Sequence, residues 1–423
     1  MGGPCARMKA ALLLGVAALA VLAMASGRDD GSMYVMETQH YRVRTDVSQD
    51  FAGLVGRHME AIHKEYSRRL KEFELKVGDK FEVRVYARRV DYDAAVPGEL
   101  LGSGGAFVSK DRLLAACMEG RTDEQVFRTL YHEGLHQFLY SSFAQECPVW
   151  VNEGLAEYFS EATWNGRTFS TGQVPAGRLY VVQSALRANQ YVPLENLFKM
   201  KSEEWLDNVR STETRASLQY CEAWSVVHFL IHARGGRYGQ RLLDYLRNIS
   251  EGVDRALAFD KSFGSNVASL ERAWSAYVMQ LRPGPDQVCR RNLELLAFMA
   301  LHIYATPQRF RSLEELHGDL TRENVRWHVV TPYGEEITSA NREAVELLFR
   351  CPYDRRPSRA SYILLKDAET GLPTLFCNHH QGIVAMAYYV PGGEGGYTVE
   401  VEQVVRDTLP LQLVRTLDSL SPR

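Results

Sequence analysis

The alternation of apolar and polar positions divides the chain into three stretches. Residues 10–25 are apolar at nearly every position. From residue 40 to residue 283, short alternating runs give way to longer runs with helical spacing. After Pro283-Gly284-Pro285 the pattern changes again, to one apolar helix followed by short strands and turns. Within the middle stretch, residues 40–45 (HYRVRT) and 81–86 (FEVRVY) alternate with a period of two, as half-buried strands do. Residues 51–73 place Leu54, His58, Ile62, Tyr66 and Leu70 along one face, which predicts an amphipathic helix. Residues 105–109 and 113–117 predict a hairpin over Lys110-Asp111. A small sheet therefore precedes the next helix, which opens on a capping box with Thr122 at the N-cap and Gln125 at N3. Its apolar positions are Val126, Leu130, Phe138 and Leu139.

Further helices are expected from Pro148, over 180–188, over 203–209 and over 214–233, the last ended by Gly235-Gly236. Beyond the Pro-Gly-Pro boundary the pattern predicts a helix over 289–304 and strands at 327–330, 361–365 and 383–390. The fold class expected is α+β. A domain over 33–283, with a small mixed sheet and a mainly helical part, is followed by a small α+β domain over 286–423.

The first stretch changes the picture of where the protein acts. Arg7 and Lys9 precede the apolar run, and Ala23-Met24-Ala25 supplies an A-x-A cleavage pattern. Residues 1–27 thus read as an export signal, with a periplasmic or extracellular destination; an uncleaved leader anchoring the protein to the membrane is the alternative. Six cysteines follow the leader: Cys117, Cys147, Cys221, Cys289, Cys351 and Cys377. Outside the cytosol they permit disulfides, and the lack of any C-x-x-C spacing argues against a structural zinc site on cysteines. A net charge of −3 argues against nucleic acid as the main partner.

The candidate chemistry centres on His132-Glu133-Gly134-Leu135-His136, an H-E-x-x-H inside the capped helix. Residues four apart share one helix face, roughly 6 Å apart along the axis. Two imidazoles so placed can converge on one metal ion at about 2.0–2.1 Å each. Glu133 lies about 100° round the turn, where it can reach a water on that metal and take its proton. Two ordinary histidines on a helix are the plain alternative. Glu153, in Asn152-Glu153-Gly154-Leu155-Ala156-Glu157-Tyr158-Phe159, follows His136 after a turn and a return helix. It can be the third ligand, with Glu157 one turn on accepting the spare N–H of a ligand histidine; the reverse assignment, Glu157 as ligand, is also open. Tyr220 offers a phenol that could hydrogen-bond an oxyanion, although a packed aromatic is the simpler reading. His228 and His232 are also four apart but lack an acid or cysteine to complete a metal site, and His58 and His63, five apart, are misaligned for one.

Together these segments resemble the gluzincin metallopeptidases, which include thermolysin-like endopeptidases and zinc aminopeptidases. The resemblance spans residues 35–283 and is closest to exported bacterial members, in which a helix ending in Leu-Glu-Arg-Ala-Trp, here Leu270 to Trp274, closes the domain. It implies Zn2+ held by His132, His136 and Glu153, Glu133 as general base, Tyr220 on the oxyanion, and Glu157 orienting the first histidine. It also implies a substrate strand added to the sheet edge near Gly105, Ala106 and Phe107; a plain glycine-rich turn is the alternative there. The gap from His136 to Glu153 is shorter than in those enzymes. Their aminopeptidase segment Gly-x-Met-Glu-Asn has no counterpart either, which argues against exopeptidase action. The expected activity is hydrolysis of peptides or proteins in the cell envelope.

Residues 289–304, 349–354 and 361–362 resemble, more loosely, the globular head of bacterial type II pseudopilins, detached from the assembling N-terminus. That makes 286–423 a candidate surface for a protein partner. The rival to the peptidase is a catalytically silent envelope binding protein on the same scaffold, working through this C-terminal region. His379-His380 beside Cys377 reads as a polar loop rather than a metal site.

Overall fold

Two units of the chain are described separately. Among the described residues the first comprises 26–173 together with 178–281, the second 282–420 with 174–177. The computed structural model describes residues 26–28, 33–71, 73, 80–143, 146–322, 326–330, 336–338, 341–353, 362–378, 382–392 and 396–420. The expected leader falls almost wholly outside these residues, as does the His379-His380 pair. No helix among the described residues is long and apolar enough to cross a membrane.

The first unit is built on a six-stranded mixed sheet. Its strands are β1 (Ser26–Arg28), β2 (Tyr34–Glu37), β3 (Tyr41–Thr45), β4 (Phe81–Tyr86), β5 (Gly105–Val108) and β6 (Leu113–Cys117), in the order β1-β2-β3-β4-β6-β5. β3, β4 and β6 run parallel, with Tyr41 opposite Phe81 and Glu82 opposite Leu113. β5 pairs antiparallel with β6, Gly105 facing Ala116, so the predicted hairpin forms and leaves β5 at the sheet edge.

Helix α1 (Gln49–Arg69) connects β3 to β4 and buries Val55, Met59, Ile62 and Tyr66. It stops short of residue 73, because Leu70 leaves the helical conformation at φ −109°, ψ 35°. A short α2 (Arg89–Ala95), which its charged sequence conceals, precedes β5.

The helical part of the unit starts with α3 (Asp123–Ser142). Thr122 Oγ1 accepts from Gln125 N at 3.2 Å while Gln125 Oε1 accepts from Thr122 N at 2.9 Å, so the capping box forms as the sequence requires. Two contacts fix the helix to what surrounds it. The Gln137 amide donates to the carbonyls of Glu82 and Arg112 at the sheet, and the Tyr66 hydroxyl donates to the Tyr131 carbonyl at 2.6 Å. Gly134 lets α1 come close: a Cβ there would meet Met59 Cε at 2.9 Å.

α4 (Val149–Ser160) starts at Pro148 and packs on α3. Then come α5 (Ala176–Ala188), α6 (Leu194–Lys199), α7 (Ser202–Ser211), α8 (Glu213–Gly236), α9 (Gly239–Ser250), α10 (Arg255–Phe263) and α11 (Val267–Gln280). The helical backbone of α8 breaks at Ala233, Arg234 and Gly235, where the glycine pair predicts its end.

The second unit carries a four-stranded antiparallel sheet, whose strands Ile363–Lys366, Pro373–Cys377, Ile383–Pro391 and Tyr397–Val405 pair in chain order. The first and third were expected. The second begins with a proline and the fourth carries two glutamates, which mask their strand character. The helix Pro285–Tyr304 lays Leu293, Leu296, Ala297 and Ala300 into a core with Leu375, Ala387, Tyr389 and Val401. On the opposite sheet face, Phe376, Val384 and Met386 pack with Leu417 of the last helix, Leu411–Leu420. The whole is an α+β protein.

Candidate metal centre

Two helices supply the site. α3 projects His132 and His136 from successive turns, their ring centroids 4.8 Å apart. α4 brings Glu153 against both: its Oε2 stands 3.4 Å from His132 Nε2 and 3.6 Å from His136 Nε2. That oxygen is buried and has no hydrogen-bond partner. One ligand atom from each residue lies within 4.8 Å of the other two.

The outer nitrogens of the imidazoles are engaged elsewhere. His136 Nδ1 meets Asn152 Oδ1 at 3.1 Å, and His132 Nδ1 faces Glu157 Oε1 at 3.6 Å. With oxygen acceptors on both Nδ1 atoms, the ring protons belong there and the Nε2 lone pairs point inward. Glu157 is therefore turned away from the centre. Its other oxygen pairs with Arg178 Nη2, and Arg178 Nε also reaches Glu161 Oε1 at 2.8 Å. Glu161, almost fully buried, pairs in addition with Arg128.

Charge at the centre follows from this crowding. Burial draws His132 down, but the contact with Glu153 and the charges of Glu157 and Glu133 outweigh it and push the imidazole up to about 9. Burial would raise Glu153, yet the His136 and His132 charges hold its carboxyl below the ordinary value. With no cation at the centre, the Glu153 anion draws a proton onto the facing His132 nitrogen, so the pocket calls for positive charge between the three side chains. A divalent ion would supply that charge in place of the proton and leave the Nε2 lone pairs free to bind it, and a donor set of two imidazoles and one carboxylate suits zinc.

Glu133 sits off this axis, as its helical angle requires. Its Oε2 accepts from the Phe107 N–H of β5 at 2.8 Å, which ties the sheet edge to this carboxylate. Gly105 makes the approach possible, since a Cβ there would lie 2.4 Å from Thr129 on α3. Tyr220 lies on α8, half-buried, its ring edge-on to Trp205 at 5.1 Å. Burial and then the charges of Glu153, Glu157 and Glu133 push its phenol well up, so it stays a neutral donor. α8 reaches α4 through Gly154: a Cβ there would meet the Ala223 carbonyl oxygen at 2.5 Å.

Of the residues singled out in the sequence, His132, His136 and Glu153 come together, Glu157 stands behind His132, and Glu133 is bound to Phe107, while Tyr220 packs against Trp205. Asn152, Arg178, Glu161 and Arg128 were missed. Asn152 had a signal in its place next to Glu153; the rest had none, because their partners are set by helix packing. The other histidine pairs are occupied differently. His58 contacts the Tyr131 hydroxyl at 2.5 Å and His63 the Tyr41 hydroxyl at 3.1 Å. His228 lies between Gly172 O and the Tyr277 hydroxyl, and His232 meets the Tyr158 hydroxyl.

Residues 126–255 match a family described as Protein of unknown function (DUF1570). The matched segment begins within α3 and contains both histidines, Glu133, Glu153, Glu157 and Tyr220. No curated protein matches the chain.

Proposed function

We propose that this protein is a zinc-dependent peptidase of the gluzincin type, exported from the cytosol and hydrolysing peptide bonds of envelope peptides or proteins. The observation that carries the reading is the buried Glu153 oxygen, unbonded and equidistant within 0.2 Å from two imidazole nitrogens. When bound there, zinc supplies a Lewis acid that polarises the scissile carbonyl and acidifies water. Glu133 takes the proton of the attacking water and delivers it to the leaving amine. Its Oε2 is held by Phe107 N–H, so Oε1 is the oxygen that handles the proton. Tyr220 donates its phenolic hydrogen to the oxyanion as charge develops. β5 is the last strand of the sheet, and a substrate backbone would lie along it near Gly105, Ala106 and Phe107, beside the base to which Phe107 N–H is already bonded.

Zinc content by native mass spectrometry, combined with cleavage of a peptide library, tests the proposal. Wild type and Glu133→Gln should each retain one zinc per chain, while the variant loses cleavage by roughly 10²–10⁴-fold. Zinc-loaded wild type that cleaves nothing would favour the binding-protein alternative, with 286–423 as its working surface.

A further inference from the structure

Three cysteines that lie far apart in sequence meet in the second unit. Cys289 is on the helix Pro285–Tyr304, Cys351 follows the short helix Arg342–Leu348, and Cys377 ends the strand Pro373–Cys377. Each is at most 4% exposed. Cys351 Sγ lies 2.6 Å from Cys289 Sγ and 3.5 Å from Cys377 Sγ, and all three sulfurs fall within 4.8 Å of one another. The pairs are 62 and 26 residues apart along the chain, so no short spacing announces them.

Two chemistries gather thiols in this way, a shared cation and a disulfide. Thiolates that share one cation at about 2.3 Å stand about 3.8 Å from each other. The Cys289–Cys351 approach is more than an ångström closer. It is also closer than non-bonded heavy atoms rest, at about 3.5–4.0 Å. The surroundings point the same way. The sulfurs sit in an apolar core with Leu293, Leu296, Phe349 and Tyr362. Three thiolates around one divalent cation would leave net negative charge in that core, whereas a disulfide is neutral.

We propose that Cys289, Cys351 and Cys377 are one three-thiol redox site, with Cys351 bridged to Cys289 and transferable to Cys377. The oxidant is an external disulfide. One cysteine thiolate attacks it, forming a mixed disulfide and releasing one thiol. The second cysteine then attacks the mixed disulfide and releases the other. Two cysteine thiols lose two protons and two electrons, and the oxidant becomes two thiols. Transfer consumes no oxidant. The Cys377 thiolate attacks Cys351 Sγ, a new bond forms as the old one breaks, and Cys289 leaves as a thiolate that takes up the proton. The two bridges tie the Cys351 segment alternately to the helix and to the sheet. This inference does not depend on the peptidase reading.

The test uses the full chain, oxidised with glutathione disulfide, denatured in acid with N-ethylmaleimide and digested without reductant. Mass mapping should show a Cys289–Cys351 linked peptide and alkylated Cys377. Cys289→Ala should move the link to Cys351–Cys377, and Cys351→Ala should leave no link in this unit. Brief partial reduction of wild type before quenching should yield both links, which removes any dependence on the variants folding. Alkylation of all three cysteines in the oxidised wild type overturns the proposal, whether or not native mass then shows bound zinc or copper. Absence of a Cys351–Cys377 link under every condition overturns the transfer.

Discussion

His132 and His136 are held by different acceptors, and the difference is testable. Asn152 bonds His136 Nδ1 at hydrogen-bond distance, whereas Glu157 faces His132 Nδ1 at 3.6 Å while pinned by Arg178. Removing an acceptor frees the ring and lowers its basicity. Asn152→Ala and Glu157→Ala should each weaken zinc binding by roughly 10–100-fold, read by competition with a chromophoric chelator. Unchanged affinity in both would show that helix geometry alone orients the rings. Tyr220 poses a different question, since it touches no ligand. Tyr220→Phe should keep its zinc and lower kcat by roughly 10²–10³-fold with little change in KM. A variant with wild-type kcat would return Tyr220 to the role of a packed aromatic.

At the scale of elements, the site depends on how closely helices approach. α4 packs on α3, to which it presents Glu153 and Glu157, and on α8, whose backbone comes this close because residue 154 is a glycine. A Cβ would lie 2.5 Å from the Ala223 oxygen and 2.9 Å from its carbonyl carbon, atoms that cannot rotate away. Gly154→Ala should therefore destabilise the protein by about 1–3 kcal/mol in urea unfolding and reduce activity, because relief requires α4 to shift. An unchanged midpoint would mean the helices yield at no cost. Elements with local signals were legible in the sequence. The capping box fixed the start of α3, and the period-two run fixed β4 to the residue. Short charged helices such as α2 were not, since neither an apolar face nor a cap marks them.

For the molecule as a whole, buried histidines set the acid limit. Burial pulls His58 down to about 3, and His63, His228 and His232 each to about 4. In the unfolded chain a histidine titrates near about 6.5. Their contribution is thus complete above that pH and is lost as the pH falls toward 4, because the unfolded chain binds protons that the native one refuses. Glu222 opposes this. Burial pushes its carboxyl up to about 8, so around pH 5.5 the native state keeps a proton that the unfolded chain has released. Four histidines against one carboxyl leave three protons, roughly 4 kcal/mol of stability lost per pH unit there. Urea midpoints of chelator-treated protein at pH 6.5 and 5.5 should fall accordingly. A midpoint that holds or rises on acidification would mean that these histidines are protonated in the folded state.

By itself the sequence determined what is local: the strand and helix periods, the capped start of α3, the H-E-x-x-H spacing that puts two imidazoles on one helix face, and the Pro-Gly-Pro step beside which the second unit begins. These depend on neighbours within a few turns, so residue order suffices. Only the tertiary structure decided the rest. It put Glu153 rather than Glu157 between the two Nε2 atoms, ran Arg178 across to Glu157 and Glu161, brought Phe107 of the sheet edge onto Glu133, and gathered three cysteines from separate elements. Each of those meetings is set by how closely side-chain volumes let helices and sheets approach, a quantity that no spacing along the chain encodes.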